Sequence, residues 1–184
     1  MKEIDIAKEN GFDSVETMKK YHKPIVDIAC NFSGNIFDLG CGNGYLLKEI
    51  EDMNSEAIPF GIDSNRKAIE NAKKIQPKFS NNFFAGDMFD TPDILSDDIE
   101  FELVILMPVR FLDGSYNHIK RVRLLNWIKI HSKNILTYIY EDKLKMYGDI
   151  ENVLNLTGFE IIKRESNMIA LVRVKDANEK SSLD

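Results

Sequence analysis

The chain alternates between short apolar runs and longer stretches in which apolar residues recur every three or four positions. The first pattern predicts buried strands, and the second predicts helices that bury one face. Strands are predicted at 36–39, 57–62, 83–88, 103–107 and 134–140, with helices in the intervening segments. Strands that alternate with helices form a parallel sheet covered on both faces, an α/β fold. The last two predicted strands, 159–165 and 168–174, are separated by only two residues and indicate an antiparallel hairpin.

Residues 1–33 show helical spacing and precede the first strand. Ser14 is a candidate N-cap, and Pro24 is expected to begin a further helix because proline is well tolerated in a first turn. These patterns divide the chain into an N-terminal helical cap (1–33), a core (34–174) and a polar tail (175–184). No other segment is long enough to cover a site on the sheet, so the cap is expected to act as a lid.

Three expectations concern elements inside the core. The helix at 117–131 is expected to bury a face formed by Ile119, Val122, Leu125 and Ile128. A helix at 149–157 is expected to end at Gly158, since glycine favours the backbone that closes a helix. The acidic segment 90–100 is expected to be solvated surface.

Composition narrows the class of protein. With 184 residues the chain is long enough for one domain with a core of its own. Its hydrophobic fraction of 43% indicates a globular protein. No apolar run approaches a membrane span, the N-terminus lacks an apolar signal region, and no membrane partner is expected. Cys30 and Cys41 are the only cysteines, which favours a reducing, cytoplasmic setting. The net charge of −6 argues against a general nucleic-acid binder.

The strongest chemical signal is Asp38-Leu39-Gly40-Cys41-Gly42-Asn43-Gly44, between the first strand and a helix. Such a turn lets backbone approach a ligand closely. One interpretation is a dinucleotide-binding loop, but the third glycine comes one position early and is followed by the bulky Tyr45. Another is a glycine-rich turn without a ligand. The order Asp-x-Gly-x-Gly-x-Gly instead resembles the first motif of the class I S-adenosylmethionine (SAM)-dependent methyltransferases.

Three later motifs extend this resemblance over about residues 34–174. Asp63 ends the second strand, at the spacing expected for an acid that binds a ribose diol. Gly86-Asp87 resembles the family's "GD" motif, and Phe101-Glu102-Leu103-Val104 resembles its "FDLV" strand. The resemblance implies a seven-stranded sheet of order 3-2-1-4-5-7-6 and SAM as cofactor. The implied cofactor-binding residues are Tyr21, Asp38, Gly40, Cys41, Gly42, Asp63, Ser64, Asp87, Met88 and Met107.

Catalytic residues are harder to identify, because methyl transfer needs a general base only when the nucleophile holds a proton of unsuitable pKa. His22 is a candidate base, with a surface or helix-cap histidine as the alternative. Arg110 either binds an anionic substrate group or is a solvated rim residue, and Tyr140 is a candidate substrate contact. No metal site is expected: Asp113, Glu141 and Asp142 fit exposed turn acids better. His118 and His131 are expected to be structural, and Cys41 is assigned no nucleophilic role.

The leading hypothesis is a SAM-dependent methyltransferase that acts on an oxygen or nitrogen of a small molecule or natural product. The segment 107–110 lacks the Asn/Asp-Pro-Pro-Tyr sequence of enzymes that methylate exocyclic amines and glutamine amides. One alternative acceptor is a peptide or protein side chain. Two alternative classes are another nucleotide-cofactor enzyme, such as a dehydrogenase, and a methyltransferase-like SAM-binding subunit without its own catalysis.

Overall fold

The computed structural model describes residues 3–112 and 117–175, apart from the side chains of residues 3 and 4. Its centre is one seven-stranded sheet in the order β3-β2-β1-β4-β5-β7-β6, as the resemblance implied. The strands β1 to β7 are Gly34–Leu39, Ala57–Asp63, Phe83–Ala85, Leu103–Leu106, Ile135–Tyr138, Phe159–Arg164 and Ile169–Val174. The first five are parallel, and β7 pairs antiparallel with both β5 and β6.

Eight α-helices lie in the described residues. In chain order, α1 to α8 are Glu3–Glu9, Val15–Ala29, Tyr45–Met53, Arg66–Ile75, Thr91–Ile94, His118–His131, Glu141–Tyr147 and Ile150–Thr157. Three short 3-10 helices are Pro77–Asn82, Met88–Asp90 and Pro108–Leu112. None of the helices in the described ranges is long and apolar enough to cross a membrane.

Alternate residues of the central strand supply the two cores. Ile36 packs with Leu47 and Ile50 of α3 on one face of the sheet, and Phe37 packs with Phe101 and Trp127 on the other. This follows from the period of two along a strand, which sends neighbouring side chains to opposite faces. From β1 the chain continues to β2 and β3 on one side of the sheet, and then crosses to β4 on the other side of β1. The strand order therefore reverses between β1 and β4, and their carboxyl ends flank that point. Ligands of open α/β sheets bind at such a point.

The expected helix start at Pro24 is wrong, because Pro24 lies inside the continuous helix α2. Proline removes one helical N–H donor, but α2 is fixed by burial on both sides of it, at Met18 and at Ile25. The Ser14 N-cap is confirmed: its hydroxyl accepts from the Thr17 N–H at 3.1 Å. The boundary at residue 33 stays a prediction, but Ile25 and Ala29 of α2 pack in the same core cluster as the first strand.

The buried face of α6 also differs from the expected one. Leu124, Trp127, Ile128 and His131 are buried, whereas Ile119 is 72% exposed and Val122 is 41% exposed. A helix turns by about 100° per residue, so four residues at a strict spacing of three drift through about 180°. Ile119 and Ile128 therefore point to opposite sides of the helix. The i, i+3, i+4, i+7 set seen here keeps one face.

The predicted ends of two strands were wrong, and two short helices were missed. The third strand ends at Ala85 instead of Met88, and the fifth ends at Tyr138 instead of Tyr140, because a 3-10 helix begins at Met88 and α7 begins at Glu141. Gly158 closes α8 with a φ of 90°, as expected. The segment 90–100 contains α5 with a fully buried Thr91, so it is only partly solvated surface. The helix α7, directly after β5, was not predicted. The tail is described only at Lys175, and the expectation for 176–184 lies outside the described residues.

Candidate active site at the carboxyl end of the central strands

The glycine loop connects β1 to α3 and is tied to the neighbouring strand by backbone hydrogen bonds. The N–H groups of Gly40 and Cys41 donate to the Ile62 carbonyl at 2.9 and 3.0 Å. Gly42 and Gly44 have φ values of 53° and 72°, a left-handed backbone that favours glycine. A Cβ on Gly44 would also lie 3.0 Å from the side chain of Ala72. The loop therefore needs glycine both for its turn and for its packing.

Cys41 shows how closely the loop lies against β2. Its Sγ would be 2.5 Å from a Cβ on Gly61, so Gly61 makes room for it. Burial, followed by the nearby charges of Asp38 and Asp63, raises the pKa of the Cys41 thiol well above its usual value. A thiol in this state is a poor nucleophile, which agrees with assigning it no nucleophilic role.

Asp63 stands at the carboxyl end of β2 and braces the loop. Its Oδ2 accepts from the Gly42 N–H at 2.9 Å, and its Oδ1 accepts from the Asn65 N–H at 2.8 Å. Each carboxylate oxygen keeps a further lone pair, so the group can accept additional hydrogen bonds from a ligand. Asp63 thus links the shape of the glycine loop to a carboxylate in the cleft.

Asp38 is the last residue but one of β1, and only 2% of its surface is exposed. Its Oδ1 is buried and has no hydrogen-bond partner in the described part of the chain. Burial, with a smaller contribution from the charge of Asp63, raises the pKa of Asp38 to about 7. Buried polar atoms are nearly always hydrogen-bonded, so this one indicates a missing donor.

Two adjoining cavities follow the carboxyl ends of the strands and share Gly40, Asp63, Met107 and Tyr138 as walls. The inner cavity, of about 240 Å³, is also lined by Glu9, Phe12, His22, Asp38, Cys41, Gly42 and Tyr140. The rim cavity, of about 300 Å³, is also lined by Ser64, Asp87, Met88 and Arg110. All the residues predicted for the site, except Tyr21, line one or both of them.

The rim cavity is built on the turns after β2 and β3. Asp87 caps the short helix that follows β3, its Oδ1 accepting from the Phe89 N–H at 3.0 Å. Met88 is buried beside it, while Ser64 and Arg110 are exposed at the mouth. Arg110 is therefore a rim residue of this cavity and does not line the inner one.

His22 is only 4% exposed, so the alternative of a surface or helix-cap histidine is wrong. Its Nδ1 lies 2.6 Å from Oε2 of Glu49 on α3. The ring of Phe12 meets it edge-on at 5.7 Å, and the ring of Tyr45 lies at 6.5 Å on another side. The imidazole is held by three neighbours and forms part of the inner cavity wall.

Tyr21 and Tyr140 are in ring contact, with centroids 5.3 Å apart, and both touch Phe12. Tyr140 reaches the inner cavity, and burial raises its pKa to about 12, which keeps the phenol neutral. Tyr21 lies behind it and lines a separate small cavity with Pro24 and Met168. The place over the cofactor stays a prediction for Tyr21. In the structure Tyr21 packs against Tyr140, whose ring lines the inner cavity.

Four polar residues that the sequence interpretation did not single out join the end of α1 to the cleft. Asn10 donates to Asn43 Oδ1 at 2.8 Å, and Asn43 N–H donates to Asn10 Oδ1 at 3.3 Å. Asn71 of α4 donates to Glu9 at 2.8 Å, and Asn43 donates to the same carboxylate at 3.3 Å. We call Glu9, Asn10, Asn43 and Asn71 the polar clasp. Its partners lie 33 to 62 residues apart, so no local pattern indicates it.

The remaining candidates lie away from the cleft. His131 is buried and stacks on Trp127 at 4.7 Å, whereas His118 is exposed at the start of α6. Glu141 and Asp142 are exposed, and Asp113 lies outside the described residues. The described residues contain no group of three or more His, Cys, Asp or Glu side chains that could hold a metal ion.

Comparisons with known proteins agree with this geometry. The profile of the family described as "Methyltransferase domain" matches residues 33–183. One curated relative is the ribosomal RNA small subunit methyltransferase A of Metamycoplasma arthritidis, 30% identical over 87 residues, or 46% of this chain and 34% of the relative. Another is the carboxy-S-adenosyl-L-methionine synthase of Campylobacter fetus subsp. fetus, 24% identical over 168 residues, or 83% of this chain and 69% of the relative.

Solved structures share the fold at low identity. The N,N-8-amino-8-demethyl-D-riboflavin dimethyltransferase of Streptomyces davawensis has a TM-score of 0.58 at 15% identity, with 88% of this chain and 56% of that chain covered. A putative caffeoyl-CoA O-methyltransferase of Staphylococcus aureus has a TM-score of 0.55 at 12% identity, with 84% and 82% covered. The chain thus spans only 34% of the length of the ribosomal RNA methyltransferase and 56% of the length of the Streptomyces davawensis dimethyltransferase.

The family match covers most of the chain, and the sheet order and glycine loop agree with it. The resemblance seen in the four motifs is confirmed, and the family match disfavours the dehydrogenase alternative. The chain therefore belongs to the family of class I methyltransferase domains.

Proposed function

We propose that the cleft binds SAM across its two cavities and that the enzyme methylates an oxygen or nitrogen of a small molecule. The family implies the use of SAM. The observation that carries the proposal in this chain is Asp38, whose Oδ1 is buried in the cleft without a partner. A ligand that donates a hydrogen bond there removes the cost of that unpaired atom.

The charge of the inner cavity supports SAM over a dinucleotide. Three carboxylates, those of Glu9, Asp38 and Asp63, line it, and no lysine or arginine is among its described lining residues. SAM carries a sulfonium and an ammonium group against one carboxylate, so its methionine part is cationic overall. A pyrophosphate would instead place negative charge beside these acids, which is unfavourable where water is excluded.

The two cavities suggest how the cofactor is divided. The ribose is assigned to Asp63 and Ser64, and the adenine to Asp87 and Met88, which line the rim cavity. The methionine part is assigned to Asp38 and the backbone of the glycine loop in the inner cavity. Met107 and Asp63 line both cavities, at the place where the two parts of SAM join.

The acceptor is assigned to the end of the inner cavity where His22 and Tyr140 lie. When bound, SAM supplies an electrophilic methyl group whose bond to sulfur breaks, with the electron pair left on sulfur, as the bond to the acceptor forms. His22 takes the proton that the acceptor loses, and the neutral phenol of Tyr140 can donate a hydrogen bond to the acceptor. The acidic lining favours an acceptor without negative charge.

The roof over this cavity favours a small acceptor over a peptide or protein side chain. Asn10 and Phe12, just after α1, and His22 of α2 form part of the cavity wall. Walls on this side narrow the approach to the cavity and help to orient a small substrate, whereas a protein side chain needs a wider approach.

Calorimetry with SAM, S-adenosylhomocysteine and NAD tests the cofactor assignment. We expect binding of both SAM species with micromolar-range affinity and no heat with NAD. Release of S-adenosylhomocysteine is then followed with a panel of phenols, primary amines, carboxylic acids and short peptides as acceptors. Turnover confined to carboxylic acids or peptides, or binding of NAD alone, would contradict the proposal.

A further inference from the structure

A carboxylate outside the cofactor cavities makes the shortest contact of the buried histidine. Glu49 lies on α3, and its Oε2 is 2.6 Å from His22 Nδ1. The side chain of Glu49 is 20% exposed, and it does not line the inner cavity that His22 lines. The His22–Glu49 pair therefore extends from the inner cavity, which His22 lines, to the outer surface between α2 and α3, where Glu49 lies.

We propose that Glu49 is a positioning residue that holds His22 in the form whose Nε2 can accept the substrate's proton. This inference rests on the proposed function, in which His22 is the base. A carboxylate has no hydrogen to donate, so the imidazole must donate from Nδ1. In the neutral ring the lone pair is then on Nε2.

The packing around the ring supports a fixed orientation. Phe12 meets the imidazole edge-on, with an angle of 86° between the rings, and Tyr45 covers it at 37°. These contacts, together with the Glu49 hydrogen bond, hold the ring on three sides. A base whose orientation is fixed in advance loses less entropy when the acceptor binds.

Glu49 also stabilises the protonated ring. It lines an open groove of about 400 Å³ with Lys19, Lys23, Tyr45 and Asp52, on the outer surface between α2 and α3. When His22 gains a proton at Nε2, the ring becomes a cation that still donates from Nδ1 to the negatively charged Glu49. The base is regenerated when the Nε2 proton leaves to water or with the product, while Glu49 keeps the Nδ1 proton in place.

Nitrogen-15 NMR of the three histidines tests the positioning role directly, with His22→Asn identifying the His22 signals. In the wild-type protein with S-adenosylhomocysteine, we expect the neutral His22 ring to be protonated at Nδ1. Glu49→Ala removes the acceptor and should move the His22 signals toward the form protonated at Nε2. Glu49→Gln offers a neutral acceptor oxygen as well as an N–H donor, so it should move the signals in the same direction but less far.

Turnover on the best acceptor of the panel provides the second measurement. A general base contributes about 100- to 10,000-fold to the rate. Loss of the partner that orients it should remove part of this factor, so we expect kcat to fall by about 10-fold or more with little change in KM for SAM. Glu51→Gln is the matched control, since Glu51 lies on the same helix and pairs with Lys48. It should change neither the His22 signals nor kcat.

Two outcomes would overturn the inference. One is an unchanged His22 tautomer in both Glu49 variants. The other is a loss of SAM affinity as large as the loss of kcat, which would give Glu49 a structural role only. Failure of the proposed function is seen separately, as a wild-type protein that does not bind SAM in calorimetry. The tautomer measurement still decides the role of Glu49 in that case.

Discussion

The floor and the roof of the cleft are held together in different ways. The floor consists of the glycine loop, Asp38 and the turns after β2 and β3, and strand pairing and nearby backbone N–H groups fix it. The roof consists of residues 6–22, and side-chain contacts with partners far along the chain fix it. The His22–Glu49 contact spans 27 residues, and the Asn71–Glu9 contact spans 62.

This difference suggests a division of labour. A floor fixed by paired backbone keeps its geometry when the surrounding side chains change, so it suits the cofactor. A roof built on side chains can change without disturbing the sheet, so it suits the variable acceptor. Substitutions in the floor should therefore alter SAM binding, and substitutions in the roof should alter turnover.

The largest effect is expected at the roof. His22→Asn should lower turnover by about 100- to 10,000-fold, the usual contribution of a general base, and leave SAM affinity unchanged. Steady-state kinetics with calorimetry on the same preparation measures both. His118→Asn, at an exposed histidine, is the control. Equal losses of turnover and SAM binding would remove the distinction between floor and roof.

The next effect concerns Asp38 in the floor, whose folded-state pKa is raised from 3.8 to about 7. Well below pH 4 the carboxyl group is protonated in both the folded and the unfolded state, so its burial does not lower the free energy of unfolding. Between pH 4 and 7 only the folded state holds it, so stability falls as pH rises, by up to about 4 kcal/mol in all. Asp38→Asn should remove this loss and be the more stable protein at pH 7.5. Urea unfolding at pH 4.5, 6 and 7.5 checks the trend.

The same substitution should weaken cofactor binding while it stabilises the fold. A cationic ligand favours the ionised carboxylate, so SAM affinity of the wild type should rise with pH up to about 7. The variant should bind more weakly and lose that dependence. Calorimetry in two buffers of different ionisation enthalpy reports the proton released. If the SAM affinity of the wild-type protein does not change with pH, the ammonium group of SAM binds away from Asp38.

Asp63→Ala should weaken SAM binding by about 10- to 100-fold, because charge-assisted hydrogen bonds contribute about 1.5–3 kcal/mol. Part of this loss should come from the glycine loop, since Gly42 N–H donates to the same carboxylate. Asp63→Asn keeps one acceptor oxygen and should be milder. Asp98→Ala, at an exposed acid, is the control. Unchanged affinity in a folded Asp63→Ala protein would exclude this residue from the site.

The smallest effect is expected where roof and floor meet, at the polar clasp. Asn10→Ala removes both hydrogen bonds between Asn10 and Asn43, and we expect a loss of about 1 kcal/mol in the binding free energy, or about five-fold in affinity. We expect this loss in SAM binding because Asn43 belongs to the glycine loop. Asn155→Ala, at an exposed asparagine of α8, is the matched control. No change would mean that α1 covers the cleft without shaping its floor.

The sequence by itself determined the features that depend on neighbouring residues. The turn at Gly40–Gly44, the cap at Ser14 and the helix end at Gly158 each follow from backbone preferences within a few positions. The alternation of strands and helices predicted the layered sheet for the same reason. The placement of Asp38, Asp63 and Asp87 at strand ends then brought them to one edge, because parallel strands share a direction.

Only the tertiary structure decided which side chains complete the site. Helical spacing could not indicate which face of α6 is buried, and it could not show that packing carries α2 through Pro24. Nothing near Glu49 or Glu9 in sequence indicates a role, since each acquires its partner from a helix or strand connection far along the chain. Hydrogen bonds of this kind exist only once both elements are packed on the sheet, and so packing determines the roof.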